Sequence, residues 1–296
     1  GHSRALRHRR RLDFPTSMFL IELSSKLCGF YREDAQGFEE LMHVQGDVYR
    51  DVKGRRTVKF ERGGQHYFIK AHQRASIIEW LKSLLSLKWP VLGARPEWLG
   101  IEAFNRVDVP TMTIAGKGMR GWIPGSAGSF IVTESFENSI SLEELLQRQE
   151  SFGEPQRNRL KRHLIPKLGQ VSRRLHEGGI NHRDYYLCHF LTQSRDWSQW
   201  QSEDSIDLMI IDLHRVQIRS GPTPDRWRVK DLGALVFSAF GADLTVTDAA
   251  RFIRAYHGGG FDWKDRYRER QGFWFKVMGR ALGFQQEWDR KQIKEA

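Results

Sequence analysis

The chain has 296 residues, 40% hydrophobic and 28% charged, and its 47 Lys+Arg against 36 Asp+Glu give a formal net charge of +11. That balance is ordinary for a globular protein and points to an anionic partner, while the lack of an uncharged apolar run of roughly 18 residues excludes a transmembrane helix. Two cysteines, Cys28 and Cys188, exclude a disulfide scaffold and a four-cysteine zinc site, and fit a reducing compartment.

Residues 1–17 carry Arg4, Arg7, Arg9, Arg10 and Arg11 against Asp13 alone, a net +4, which leaves +7 from Met18 onward. They read as a disordered basic arm or a vector-derived leader and are set aside from the fold. The alternation of Val48–Val52, Arg56–Glu61 and His66–Lys70 predicts three strands of a meander, with Lys53-Gly54 and Gly63-Gly64 as the turns. Ser76–Trp89 reads as an amphipathic helix opened by a Ser76/Glu79 capping box and stopped by Pro90. A second helix is expected from Pro96 to about Asn105, with proline in its first turn. Ser129–Glu134 reads as a strand, and Ser141 with Glu144 opens another helix. A long helix is expected from Gln156 to Glu177, ending at Gly178-Gly179. Leu208–Ile211 looks like a buried strand, and the chain from about Lys230 looks helical with a break at Gly258–Gly260. Strands first and helices after, joined near residue 135, predict an α+β protein of two lobes.

The residues that carry chemistry cluster late. Asp184 sits in a His182-Arg183-Asp184 triplet on a turn after the long helix, and Asp212 follows the apolar run Ile210-Ile211. Two carboxylates on strand-flanked turns, with Lys70 on an earlier strand, suit phosphoryl transfer from ATP: one acid orients the acceptor hydroxyl, the second holds Mg²⁺, and the lysine neutralises phosphate. Each piece alone also fits a salt-bridged turn. The order Lys70, a helical acid, Thr133-Glu134 at a strand end, His182-Arg183-Asp184 and Asp212 is that of protein kinases.

The segments Gln45–Arg50, Arg55–Val58, Tyr67–Lys70, Pro90–Ala94, Ser129–Glu134, Asn181–Asp184, Cys188–Phe190, Ile211–Arg215 and Arg226–Leu232 carry a closer likeness. From about Met18 to Tyr256 the chain resembles the lipopolysaccharide core heptose(I) kinase (WaaP/RfaP) family. The resemblance implies a bilobal protein-kinase-like fold, with an N-terminal β-rich lobe over 18–135 and a C-terminal helical lobe over 136–296. It implies ATP and Mg²⁺, and phosphorylation of the first heptose of the lipopolysaccharide inner core. On the same ground Asp184 is the catalytic aspartate, Lys70 the phosphate-binding lysine, Asp212 the metal-binding aspartate, and Thr133 and Glu134 border the nucleotide.

Some positions stay open in the sequence. His189 stands where protein kinases carry a metal-binding asparagine, and reads either as a ligand or as a hydrogen-bonding structural histidine. Glu97 is favoured over Glu102 as the partner of Lys70. Asp212-Leu213-His214 replaces Asp-Phe-Gly, so no phenylalanine switch is expected. Cys188, between Leu187 and His189, reads as a buried, inert thiol rather than a nucleophile. The Ser76–Trp89 helix either packs on the sheet or faces a membrane. Arg55, Arg56, Lys59, Arg62, Arg74 and Lys88 could steer anionic core sugars. The expected partners are a lipid-anchored core acceptor, the inner leaflet, and a small acidic protein such as an acyl carrier protein. The expected location is cytoplasmic, at the inner membrane. A kinase of another inner-core sugar, such as a Kdo kinase, and a non-catalytic kinase-like module are the alternatives. No recognition helix or RNA-binding pattern supports nucleic acid.

Overall fold

The computed structural model describes residues 19–52, 54–73, 93–121, 128–148, 153–193, 202 and 205–295. The predicted helix Ser76–Trp89 and the arm 1–17 lie outside them. The N-terminal half is built on one six-stranded antiparallel sheet in the order β1-β5-β6-β4-β3-β2. Its strands are β1 (Phe19–Leu23), β2 (Asp47–Val52), β3 (Arg55–Arg62), β4 (Gln65–His72), β5 (Ile114–Arg120) and β6 (Gly128–Glu134). β3 and β4 pair over their full lengths, from Arg62 with Gln65 to Arg55 with His72. Gly63 and Gly64 make the two-residue turn with φ of 60° and 76°; positive φ at both central positions is what a hairpin turn of matching twist requires.

The alternation along β4 sorts its side chains. Tyr67, Ile69 and Ala71 join Phe130 and Val132 of β6 in a core closed by Phe38 and Leu41. Those two lie on α2 (Ala35–Met42), after the short α1 (Ser25–Cys28). Asp34 caps α2 by accepting from the N–H of Gln36 and of Gly37 at 3.0 Å each. Lys70 points to the other face. There its paired neighbour Ile131 belongs to a second core, shared with α3 (Arg95–Arg106) and the helical half. Trp98, Ile101 and Phe104 of α3 are buried in it.

The helical half begins at β7 (Ile140–Ser141) and α4 (Leu142–Gln147), where the predicted Ser141/Glu144 capping box forms in both directions. α5 (Glu154–Glu177) follows, then β8 (Ile180–Asn181), β9 (Phe190–Thr192), β10 (Met209–Ile210) and β11 (Gln217–Ile218). The last helices are α6 (Asp225–Ser238), α7 (Val246–Tyr256), α8 (Trp263–Glu269) and α9 (Gln271–Glu295). An N-terminal sheet lobe and a C-terminal helical lobe make the bilobal, kinase-like α+β fold the sequence predicts.

Three local readings need correction, and three elements went unread. The strand expected over Leu208–Ile211 narrows to Met209–Ile210: Ile211 N–H still reaches the His189 carbonyl at 3.0 Å, one rung past the Ile210–Phe190 pair, and the left-handed Asp212 at φ 63° ends the strand there. The helix expected from Lys230 begins five residues earlier, at Asp225. β1, β5 and α2 carried no clear sequence signal. Cys188 is half-buried rather than buried.

Candidate active site

Lys70 leaves β4 toward the cleft, and its Nζ lies 2.6 Å from Glu97 Oε1. Glu97 sits in the first turn of α3 and is only 1% exposed. Glu102, one and a half turns on, binds Lys117 Nζ at 3.0 Å instead. α3 itself is seated on the turn that follows Asp212: a methyl group at Gly100 would lie 2.9 Å from Leu213 Cβ. Only glycine leaves room for that approach.

Asp212 stands in the left-handed region at φ 63°, which swings its carboxylate into the cleft. Oδ1 lies 3.6 Å from Lys70 Nζ and accepts a 2.7 Å hydrogen bond from His214 Nδ1. Oδ2 is 3.8 Å from His189 Nε2. Burial alone would raise the Asp212 pKa, but His214, Lys70 and His189 outweigh it and hold the carboxyl well below the usual carboxylate range. His189 shows the converse. Burial opposes its charge, yet bonding to the Cys188 thiol and the Asp184 carbonyl, with the Asp212 charge, pushes it up to about 9. Its Nδ1–H donates to Asp184 O at 2.7 Å, which leaves Nε2 facing Asp212.

The loop carrying Asp184 is held from below. Asp231 on α6, buried to 1% exposure, accepts the N–H of His182 at 2.7 Å and of Arg183 at 2.9 Å. These bonds secure Arg183 at φ 74°. His182 Nε2–H in turn donates to Ile211 O at 3.0 Å, tying this loop to the strand before Asp212. The Asp184 carboxylate receives Arg215 Nη1, 2.7 Å from Oδ1 and 3.0 Å from Oδ2.

Lys70, Glu97, Asp212, His189 and Asp184 therefore form one connected line across the cleft. Thr133 and Glu134 do not touch it. Thr133 is buried on the sheet face that bears Lys70, paired with Phe68, and Glu134 accepts from Lys26 Nζ at 2.9 Å. Sequence reasoning gave Arg215 no role, although it binds Asp184 from 31 positions away. It also placed Arg55 among steering residues. In the fold Arg55 opens β3 within electrostatic reach of Glu97 and Asp212, while burial and Arg50 lower its pKa.

Among the described residues no three His, Cys, Asp or Glu side chains gather to hold a metal ion. Mg²⁺ does not need such a cage. It binds through one or two carboxylates plus substrate phosphates and water, and the ionised, half-buried Asp212 carboxylate is an oxygen donor of that kind. A separate apolar hollow of about 620 Å³ lies in the helical lobe, lined by Leu164, Leu168, Leu235, Phe252 and Trp274, and contains none of the cleft residues.

Residues 39–256 match the lipopolysaccharide kinase (Kdo/WaaP) family. The lipopolysaccharide core heptose(I) kinase WaaP of Escherichia coli K12 is 41% identical over 81% of this chain and 88% of its own. The protein of the same name from Pseudomonas aeruginosa PAO1 is 43% identical over 74% of this chain and 80% of its own. A solved structure, WaaP in complex with acyl carrier protein, superposes with a TM-score of 0.71 at 35% identity, covering 89% of this chain and 98% of that one. A family match over most of the length, relatives alike along most of theirs, and a shared three-dimensional course lead to one statement: the chain belongs to the lipopolysaccharide kinase (Kdo/WaaP) family.

Proposed function

We propose that the chain transfers the γ-phosphoryl group of ATP to a hydroxyl of the first heptose of the lipopolysaccharide inner core. The observation that carries this reading is the line Glu97–Lys70–Asp212–His189–Asp184, in a chain whose relatives are heptose(I) kinases. Lys70, oriented by Glu97, binds the phosphates nearest the nucleoside. Thr133 and Glu134, at the end of the strand beside β4, border the nucleotide. Asp212 would hold Mg²⁺, and His189 Nε2 would be the second candidate ligand only once it gives up its proton, behind Asp212 because Mg²⁺ prefers oxygen. Bound there, Mg²⁺ would offset the negative charge of the phosphates.

Asp184 receives the acceptor hydroxyl. The hydroxyl oxygen bonds to the γ-phosphorus as the bond to the β-phosphate oxygen breaks, and Asp184 takes the hydroxyl proton. The transition state is loose, so its main contribution is aim. Asp231 and the His182–Ile211 bond supply the rigidity this aim needs.

The acceptor is lipid-anchored, so the chain works at the cytoplasmic face of the inner membrane. Among the described residues no helix is long and apolar enough to cross a membrane. The net charge of +11 suits an anionic lipid surface and an acidic partner. A solved relative is bound to acyl carrier protein, which supports such a partner here.

Mass spectrometry of purified core acceptor incubated with the chain, ATP and Mg²⁺ tests the reading. The expected result is one added phosphate on heptose. Asp184→Ala should lower the rate about 10³-fold or more while the protein stays folded. An unchanged acceptor with folded wild type, or full activity in Asp184→Ala, would refute it.

A further inference from the structure

The mechanism above leaves a group of cations unused. Around Asp184 stand Arg183, its neighbour in the chain, Arg215, which binds its carboxylate, and Lys230, within electrostatic reach of all three. Lys230 directly precedes Asp231, so the anchor that grips the Arg183 N–H also fixes Lys230 beside the loop. Its neighbour one turn back, Arg226, flanks the same Trp227 ring, with Lys230 Nζ at 5.9 Å and the Arg226 guanidinium at 5.2 Å from the ring centroid. Among the described residues no carboxylate lies within ion-pair distance of Arg183, Arg226 or Lys230, and the buried Nε of Arg183 has no hydrogen-bond partner. Asp225, next to Arg226 in the chain, is held by Arg270 at 2.8 Å.

Lys230 itself feels these charges. Burial, then Arg183, Arg215 and Arg280, pull its pKa down, and Asp184 works against them. The corresponding set around Asp212 is Lys70, His214 and His189. Lys70 therefore stands at Asp212, and a separate set of cations gathers at Asp184. Holding several cations around a single carboxylate costs energy that a bound anion recovers.

We infer that Arg183, Arg215 and Lys230 form an oxyanion subsite on the acceptor side of Asp184, which takes a carboxylate or phosphate carried by the acceptor next to the hydroxyl that is phosphorylated. Arg215 links the two halves of this site. Its guanidinium has five donors and spends one nitrogen on Asp184, so the others are free to reach an acceptor oxyanion in fork geometry. Acceptor recognition and the aim of Asp184 then run through one side chain. The subsite rests on the kinase reading for its acceptor, an inner-core sugar with acidic neighbours.

The test is equilibrium binding, which requires no transfer. Fluorescently labelled inner-core oligosaccharide is titrated into the full chain with Mg²⁺ and a non-hydrolysable ATP analogue. Three forms of the sugar are compared: intact, carboxyl-reduced and dephosphorylated. Lys230→Gln should weaken the intact form about tenfold, and Lys230→Arg should restore most of the loss, since a charge-assisted bond is at stake. The form that has lost the recognised group should bind wild type about tenfold more weakly and be indifferent to Lys230→Gln. Which form behaves so identifies carboxylate or phosphate as the ligand. Equal binding of all three forms to wild type, no binding of any, or an equal effect of Lys230→Gln on all three overturns the subsite. Selective binding of a sugar that is never phosphorylated would leave the subsite standing and refute the kinase reading instead.

Discussion

Asp231 bears on function without touching the cleft. Its two oxygens satisfy consecutive backbone N–H groups of the Asp184 loop, and its buried position places it 3.6 Å from His176 Nε2. Asp231→Ala would leave both donors without acceptors inside the protein. We expect a loss of about 3 kcal/mol or more, read by denaturant unfolding, with Asp231→Asn losing less because one acceptor remains. Activity should fall with stability in Asp231→Ala, in contrast to Asp184→Ala. At this scale the sequence was partly legible. Lys70, Asp184 and Asp212 stand out because their spacing along the chain follows a known order of parts. The Arg215–Asp184 pair does not stand out, since a contact across 31 positions leaves no periodic trace. Glu97 could be told from Glu102 only by preference, because a helical wheel does not say which face a distant strand will meet.

Elements were legible where their local chemistry agreed with their place in the fold. The β3–β4 hairpin announces itself by alternation and a Gly-Gly turn, and the Ser141/Glu144 box by its cap. β5 reads poorly because Gly116 and Gly118 interrupt it. They are there for packing: a Cβ at Gly118 would come within 2.5 Å of Phe130. The strand gives up propensity to seat an aromatic ring. The two-residue β10 reads longer than it is because Ile211 is apolar and still bonds the His189 carbonyl, but the left-handed turn at Asp212 stops the strand there. α3 has a similar tight point at Gly100. Gly100→Ala would press a methyl against Leu213, so α3 and the Asp212 turn must part by a few tenths of an ångström. The expected result is a several-fold rise in the KM for ATP, as Glu97 and Lys70 lose register with Asp212, with a smaller effect on acceptor binding. Steady-state kinetics with each substrate varied in turn checks this.

At the scale of the whole molecule, the two lobes share a core that reaches from Ile131 of the sheet through α3 to Leu175 and Leu213. Buried histidines make this structure sensitive to acid. His72, 7% exposed at the end of β4, is pushed down to about 4 by burial, Arg55, Lys70 and His214. In the unfolded chain it takes its proton near 6.5. Between those values the unfolded state binds more protons, so stability rises with pH there. The contribution is fully present above about 6.5 and is lost as pH falls through about 4, worth about 3 kcal/mol across the window. His176 and His182, lowered first by burial, act in the same sense. Thermal midpoints should therefore fall steeply from pH 7 to pH 4.5, and His72→Gln should flatten part of the slope. A midpoint independent of pH over that range would contradict this. The seat of Gly100 on Leu213 has a consequence beyond packing. Because α3 packs directly on the turn that presents Asp212, any swing of the helix carrying Glu97 has to take that turn with it, and a leucine stands where a mobile ring would act as a gate. The cleft is assembled by folding itself.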